Sequence, residues 1–172
     1  MKLAERVGRD RVIAIARRLG VTSSLRASPS LALGVAETTL LELTAAYASV
    51  ANQGRALWPY GIVEIRDRTG VVLYRRRASR AGQAITPAVA SAMDDLLQAV
   101  IASGTGRNAA IPGGAGKTGT SQDFRDAWFI GYSGDITAGI WLGNDDSTPM
   151  DRVTGGGLPA TIWGAFMIGA QP

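Results

Sequence analysis

The segment GKTGTSQDFRDAWFIGYSGDITAGIWLG, residues 116–143, predicts three consecutive β-strands. β-Branched and aromatic residues recur through it and are interrupted by short polar runs at 123–126 and 133–135. Connections this short join neighbouring strands that run in opposite directions. The segment therefore predicts an antiparallel sheet with strands at Gly116–Ser121, Ala127–Tyr132 and Thr137–Gly143.

Two helices are predicted before this segment. Thr39 and Glu42 have the spacing of a capping box, which predicts a helix over 39–53. Thr86 followed by proline predicts a second helix over 86–103. Helical spacing places four apolar residues on the buried face of that second helix, namely Val89, Met93, Leu97 and Val100.

A third helix is predicted after the strands, because Pro159 opens an apolar run over 159–168. Helices followed by a strand meander indicate an α+β fold. We expect the 159–168 helix on one face of the antiparallel sheet and the 39–53 and 86–103 helices on the other side.

The remaining elements are predicted at the N-terminus and in the middle of the chain. Residues 3–19 indicate a helix with a break near Gly8, where Asp10 caps the second part and Gly20 ends it. Residues 60–77 predict a β-hairpin that turns at 67–70.

Composition excludes several kinds of chemistry. The 172 residues contain no histidine and no cysteine, which excludes Ser-His-Asp hydrolysis, imidazole zinc sites, thiolate chemistry and disulfides. The adjacent Asp145 and Asp146 make a poor metal site without histidine, and we assign them to a turn. We expect no metal and no cofactor.

The net charge of +4 comes from arginines concentrated near the N-terminus and between Arg66 and Arg80. Such clusters can meet nucleic acid or anionic lipid, although charged runs are usually solvated. The run IARRLGVTSSL resembles the start of a helix-turn-helix, but Pro29 falls where the recognition helix needs its amides. We therefore expect no nucleic-acid partner.

The Lys117-Thr118 pair follows glycines, as in a phosphate-binding loop. That loop requires glycine at position 111 and a helix after the lysine, whereas the chain has Ile111 and predicted strands. On a strand, Lys117 and Gly119 point one way and Thr118 and Thr120 the other. A cation, hydroxyls and backbone donors beside a bare glycine suit an extended peptide ending in a carboxylate.

The surroundings of this triplet point to a family. KTGTSQDFRDAWFIGYSGDITAGIWLGND, with SGTGRNA before it and GGGLPATIWGAF after it, resembles the C-terminal part of the transpeptidase domain of class A penicillin-binding proteins. KLAERVGRDRVIAIARRLGV and ETTLLELTAAYASVANQG extend the resemblance across the chain. It implies a β-lactamase-like fold and a D,D-transpeptidase, in which stem peptides ending in D-Ala-D-Ala acylate a serine that β-lactams trap.

The resemblance implies roles for Lys117, Thr118 and Thr120. Lys117 supplies positive potential in the cleft, and the hydroxyls of Thr118 and Thr120 hold the substrate carboxylate. The Thr120 backbone N–H is one donor of the oxyanion hole. Gly119, from its place on the strand, leaves a notch where another backbone can approach closely. Peptidoglycan stem peptides and β-lactams are the expected ligands.

The family's other two motifs, Ser-x-x-Lys and Ser-x-Asn, are missing. The only lysines are Lys2 and Lys117, and neither follows a serine at this spacing. We expect residues 1–172 to be the C-terminal portion of a transpeptidase domain, inactive without its N-terminal part. The full-length parent would act on the periplasmic face of the bacterial inner membrane, although this chain shows neither a signal nor an anchor.

Two other functions stay open at this point. One is a non-enzymatic remnant that binds peptide or muropeptide in the strand cleft. The other is a basic nucleic-acid-binding module, which would show salt-dependent retention on DNA.

Overall fold

The computed structural model describes residues 2–77 and 82–170, so Arg80 of the second basic cluster lies outside the described residues. Helices and strands alternate in blocks along the described chain. The α-helices are α1 (Lys2–Val7), α2 (Arg9–Arg18), α3 (Leu40–Ala51), α4 (Pro87–Ala102) and α5 (Leu158–Ala170), and short 3-10 helices cover Pro29–Leu33, Arg107–Ala109 and Gln122–Phe124. The strands are β1 (Glu64–Arg66), β2 (Val72–Arg75), β3 (Ala115–Thr120), β4 (Asp126–Ser133) and β5 (Ile136–Gly143).

The three strands predicted between residues 116 and 143 form one antiparallel sheet in the order β3-β4-β5. Ala115 of β3 pairs with Tyr132 of β4, and Asp126 of β4 pairs with Gly143 of β5, which sets the register of the two ladders. The observed strand bounds lie within one residue of the predicted ones. The prediction of an antiparallel sheet is therefore confirmed.

Helix α5 covers one face of this sheet. Trp163 is fully buried, its ring centroid lies 5.1 Å from that of Phe129, and its indole N–H donates to the Ala138 carbonyl oxygen at 3.1 Å. Helix α3 covers the opposite face, where a Cβ on Gly139 would lie 2.9 Å from Leu40. The α+β fold with helices on both faces is confirmed.

Helix α4 departs from its predicted position because it contributes to both faces. Its Leu97 packs with Ala115 and Tyr132 on the α3 side, whereas Ile101 joins the cluster around Trp163. The helix therefore lies along β3 and closes the core there, rather than on the α3 side alone.

The predicted buried face of α4 is partly wrong. Val89 is 49% exposed and Met93 is 38% exposed, whereas Ala90, Leu97 and Ile101 are buried. The inward stripe also carries Asp94, which accepts a hydrogen bond from the Tyr132 hydroxyl at 2.9 Å. An alanine and an aspartate on the inner face weaken the apolar signal that a sequence pattern depends on.

The N-terminal break is at Gly8, as predicted, but the cap is not Asp10. Helix α2 begins at Arg9, so Asp10 lies inside its first turn, and Gly8 occupies the N-cap with φ of 95°. The C-terminal prediction is confirmed, since Gly20 has φ of 103° and donates its N–H to the Arg17 carbonyl at 3.1 Å. A positive φ costs little for glycine, which explains both positions.

The capping box of α3 is present and has a further function in the packing of the chain. The Thr39 hydroxyl accepts the Glu42 backbone N–H at 3.2 Å, and the Glu42 carboxylate accepts the Thr39 backbone N–H. That carboxylate also accepts the backbone N–H and hydroxyl groups of Thr22 and Ser23. Glu42 therefore joins the segment after α2 to the start of α3.

The hydrogen bonds from Ser23 and Thr22 hold the pKa of Glu42 far below its ordinary value of 4.5. A depressed pKa in the folded state means that the stabilisation is complete above pH 4.5 and is lost as the pH falls below it. We expect Glu42→Gln to destabilise the chain at pH 7 by about 1–2 kcal/mol, since the carboxylate is partly solvated. The difference in unfolding free energy from the parent should shrink towards pH 3.

Urea unfolding at pH 7 and pH 3 measures this difference. Glu37→Gln changes an exposed carboxylate just before α3 and is the matched control. Equal pH dependence in the parent and in Glu42→Gln would contradict the role of Glu42.

The predicted hairpin over 60–77 is confirmed as β1 and β2. Asp67 forms its turn, accepting the Gly70 N–H on its carbonyl at 3.1 Å and the Thr69 N–H on its carboxylate at 2.8 Å. Within residues 2–77 and 82–170, no helix has the length and apolar character needed to cross a bilayer.

Candidate functional site

Strand β3, which carries the Lys-Thr-Gly triplet, is at an edge of the sheet. Among the described residues it pairs with β4 only. Ser121 donates its N–H to the Asp126 carbonyl at 2.9 Å, which makes this a hydrogen-bonded position of the ladder. Such positions alternate along an antiparallel pair, so the backbone groups of Thr118 and Thr120 are directed to the free edge.

The side chains of β3 divide between the two faces as predicted. Thr118 lies opposite Phe129 and therefore shares the α5 face, together with Thr120. Lys117 lies opposite Ile130, and Gly119 lies opposite Trp128, on the other face.

The Lys117 ammonium nevertheless reaches the free edge. It is exposed and donates to the Thr118 carbonyl oxygen at 2.9 Å. Because that carbonyl is directed away from β4, the cation lies beside the backbone groups that a ligand on the edge would meet. A positive charge and the edge-directed backbone groups of β3 are thus brought together.

Gly119 has a packing role that the sequence did not indicate. A Cβ at this position would lie 3.2 Å from the Cβ of Trp128 on the neighbouring strand. This is tighter than an ordinary contact, so the glycine lets Trp128 lie across β3. The bare backbone expected here is therefore partly covered by an indole on the Lys117 face.

On the other face, the two threonine hydroxyls line a cleft of about 430 Å³. The Thr118 hydroxyl oxygen lies 2.6 Å from that of Thr105, and the Thr120 hydroxyl accepts the Gly155 N–H at 3.0 Å. The cleft is lined by Thr105, Asn108, Thr118, Thr120, Thr154, Gly156 and Gly157. Hydroxyl and amide groups on this wall are suited to an anionic ligand.

The loop over 154–157 forms the far wall of the cleft and is tied to β3 through its backbone. A Cβ on Gly155 would lie 2.3 Å from both the Gly119 and the Trp128 carbonyl oxygens. The Asn108 side-chain amide donates to the Gly156 carbonyl at 2.8 Å. Thr105, Asn108 and this loop were not identified as site residues from sequence, although SGTGRNA and GGGLPA carry part of the family resemblance.

A larger depression of about 600 Å³ lies beside the C-terminal half of α4. Its lining includes Arg107 and residues 110–114, and no residue of the Lys-Thr-Gly triplet. We therefore place the candidate site at the free edge of β3 and not in this depression.

The acidic residues near the site have local partners. Asp126 accepts the Trp141 indole N–H at 2.9 Å, and Asp146 accepts the Thr148 backbone N–H at 3.0 Å. Hydrogen bonds from Thr148 hold the pKa of Asp146 below its usual value. Asp126 is the first residue of β4, and Asp146 lies in a turn, as predicted.

Comparison with protein families gives a match to the penicillin binding protein transpeptidase domain over residues 8–142. Penicillin-binding protein 1A of Aquifex aeolicus (strain VF5) is 35% identical over 170 residues, which cover 97% of this chain and 23% of that protein. Penicillin-binding protein 1A of Neisseria meningitidis serogroup B (strain ATCC BAA-335 / MC58) is 40% identical over 160 residues, covering 88% and 20%. The chain spans about a fifth to a quarter of the length of these curated relatives.

Solved structures show the same architecture. PonA1 of Mycobacterium tuberculosis in complex with penicillin V has a TM-score of 0.79 at 28% identity, over 95% of this chain and 50% of that one. Penicillin-binding protein 1A of Haemophilus influenzae has a TM-score of 0.85 over 99% of this chain and 32% of that one. At 22% identity, this second match shows the fold alone.

Proposed function

Because the chain belongs to the penicillin-binding protein transpeptidase family, we propose that it forms the substrate-carboxylate side of a D,D-transpeptidase active site. Residues 1–172 are then the C-terminal portion of the domain. The nucleophilic serine comes from the portion that carries Ser-x-x-Lys and Ser-x-Asn. The complete enzyme works on peptidoglycan at the periplasmic face of the bacterial inner membrane.

The observation that carries this proposal is the free edge of β3. Backbone groups of Thr118 and Thr120 are directed to that edge, and the Lys117 ammonium lies 2.9 Å from the Thr118 carbonyl oxygen. An extended peptide that adds to a strand edge gains main-chain hydrogen bonds, while side-chain groups read its terminus. A stem peptide ending in D-Ala-D-Ala offers both an extended backbone and a terminal carboxylate.

The proposal gives each residue a separate task. Lys117 provides positive potential where the carboxylate binds and where the oxyanion develops. The Thr118 and Thr120 hydroxyls donate to the carboxylate, and the Thr120 N–H at the free edge donates to the oxyanion. Gly119 keeps the strand free of a side chain between them.

β-Lactams are proposed as ligands of the same edge. Their fused ring carries a carboxylate in the place of the peptide terminus, and they acylate the same serine. The PonA1 structure contains penicillin V, which supports a ligand of this class for a related domain.

A non-enzymatic peptide-binding module is the second candidate, because the free edge of β3 and its hydroxyl-lined cleft would bind a peptide carboxylate without any nucleophile. Sequencing the coding region upstream of Met1 separates the two candidates. An open frame that contains Ser-x-x-Lys and Ser-x-Asn supports the enzyme, and a stop codon directly upstream supports the binding module.

The carboxylate assignment is tested with Thr118→Val, which keeps the β-branched shape and removes the hydroxyl. In a complete domain that contains this chain, acylation by benzylpenicillin should slow about tenfold, because a charge-assisted hydrogen bond is lost. Acylation by the penicillin methyl ester should change little. Stopped-flow kinetics measure the acylation rate with each ligand. Equal reductions in rate for the two ligands would show that the Thr118 hydroxyl does not bind the carboxylate.

A further inference from the structure

Thr105 lies outside the Lys-Thr-Gly triplet, yet its side chain meets the triplet directly. Its hydroxyl oxygen is 2.6 Å from the Thr118 hydroxyl oxygen, thirteen residues along the chain. This distance is at the short end of the range for hydrogen bonds between hydroxyl groups. One of the two hydroxyls therefore donates its proton to the other.

The turn that carries Thr105 is held by backbone contacts. Gly104 donates to the Ala99 carbonyl at 3.1 Å and Gly106 donates to the Val100 carbonyl at 2.9 Å, which closes the end of α4. A Cβ on Gly106 would lie 3.2 Å from the Phe129 ring. The backbone on both sides of Thr105 is thus fixed, with Gly106 against the sheet core, and the exposed Thr105 side chain can hold a partner side chain in one orientation.

Thr120 shows how such a contact sets the direction of a hydroxyl. A backbone amide can only donate, so the Thr120 hydroxyl accepts the Gly155 N–H and its own proton stays available. A hydroxyl has one proton and two lone pairs. When the Thr118 hydroxyl accepts from Thr105, its own proton therefore also stays available for a ligand. If Thr118 donated to Thr105 instead, its proton would be unavailable to an anion.

We propose that Thr105 is a positioning residue: it donates its hydroxyl proton to Thr118 and so holds the Thr118 hydroxyl as a donor towards the ligand carboxylate. This inference rests on the proposed function, in which Thr118 reads that carboxylate. Both threonines of the strand then direct a hydroxyl proton into the cleft. The Thr118 hydroxyl accepts a hydrogen bond from Thr105, and the Thr120 hydroxyl accepts one from the Gly155 N–H.

The test uses the 172-residue chain with Thr105→Val, which removes the hydroxyl and keeps the shape, and Thr105→Ser, which keeps the hydroxyl. Three-bond couplings of the Thr118 methyl carbon report its χ1 rotamer without any ligand. We expect one rotamer in the parent and in Thr105→Ser, and averaging in Thr105→Val. Thr137→Val, the same change in β5 at the opposite edge of the sheet, is the matched control.

The same variants are titrated with N-acetyl-D-alanyl-D-alanine and with its C-terminal amide, followed by amide chemical shifts. In Thr105→Val the Kd of the carboxylate ligand should rise about fivefold, and that of the amide should stay unchanged. A single Thr118 rotamer in Thr105→Val, or an unchanged preference for the carboxylate, would overturn the inference. A parent that does not prefer the carboxylate would overturn the proposed function, while the couplings still decide whether Thr105 positions Thr118.

Discussion

Replacing Lys117 with alanine is expected to slow acylation of a complete transpeptidase domain that contains this chain by on the order of 10²-fold to 10³-fold. The ammonium lies at the free edge of β3, where the proposal places both the carboxylate and the developing oxyanion. Removing a fixed charge from such a position costs most when negative charge develops in the transition state. The rate of acylation by a fluorescent penicillin measures the loss.

The same substitution should leave the fold nearly unchanged. Lys117 is exposed and its side chain bonds only the neighbouring Thr118 carbonyl among the described contacts, so stability should change by about 0.5 kcal/mol or less. Lys2→Ala, the same change in exposed helix α1, is the control for loss of a lysine. If Lys117→Ala is acylated at the parent rate, or if Lys2→Ala lowers the acylation rate by the same factor, Lys117 has no specific role in acylation.

Replacing Trp163 with alanine is expected to destabilise the isolated chain by about 3–5 kcal/mol. Its ring is fully buried against Phe129, and its indole N–H donates to the Ala138 carbonyl between the sheet and α5. The substitution leaves a cavity and removes this hydrogen bond at the same place. Since most domains are stable by only about 5–15 kcal/mol, much of the chain should be unfolded at 37 °C.

Chemical denaturation followed by circular dichroism measures this effect. Phe166→Ala provides the matched control, because Phe166 lies on the same helix and is 51% exposed. It should cost under about 1 kcal/mol. Similar losses in the two variants would mean that α5 does not anchor the core through Trp163.

Sequence patterns predicted the elements whose signals are local. The strands between 116 and 143 are bounded by turn residues, and the cap side chains of Thr39 and Thr86 each accept the backbone N–H of the residue three positions later. The inward face of α4 was misassigned because the contact between Asp94 and Tyr132 joins residues far apart in the chain. Local patterns do not contain such partners.

The candidate site divides in the same way. The family resemblance predicted the residues from Lys117 to Thr120, and their alternation on the strand followed from its period of two. The opposite wall was not predicted, because its contacts join segments far apart in the chain. The Asn108 side-chain amide meets the Gly156 carbonyl, and Gly155 packs against the backbone of Gly119 and Trp128. Only the three-dimensional packing shows that these glycines are required there.

The position of Lys117 also makes the chain suitable for chemical footprinting. The 172 residues contain two side-chain amines, one on Lys117 at the strand edge and one on Lys2 in α1. An amine-selective reagent can therefore modify the strand edge at one side chain, with Lys2 as an internal reference in the same molecule. A ligand that covers the edge lowers the labelled fraction of the Lys117 peptide relative to that of the Lys2 peptide, so occupancy is measured without any substitution.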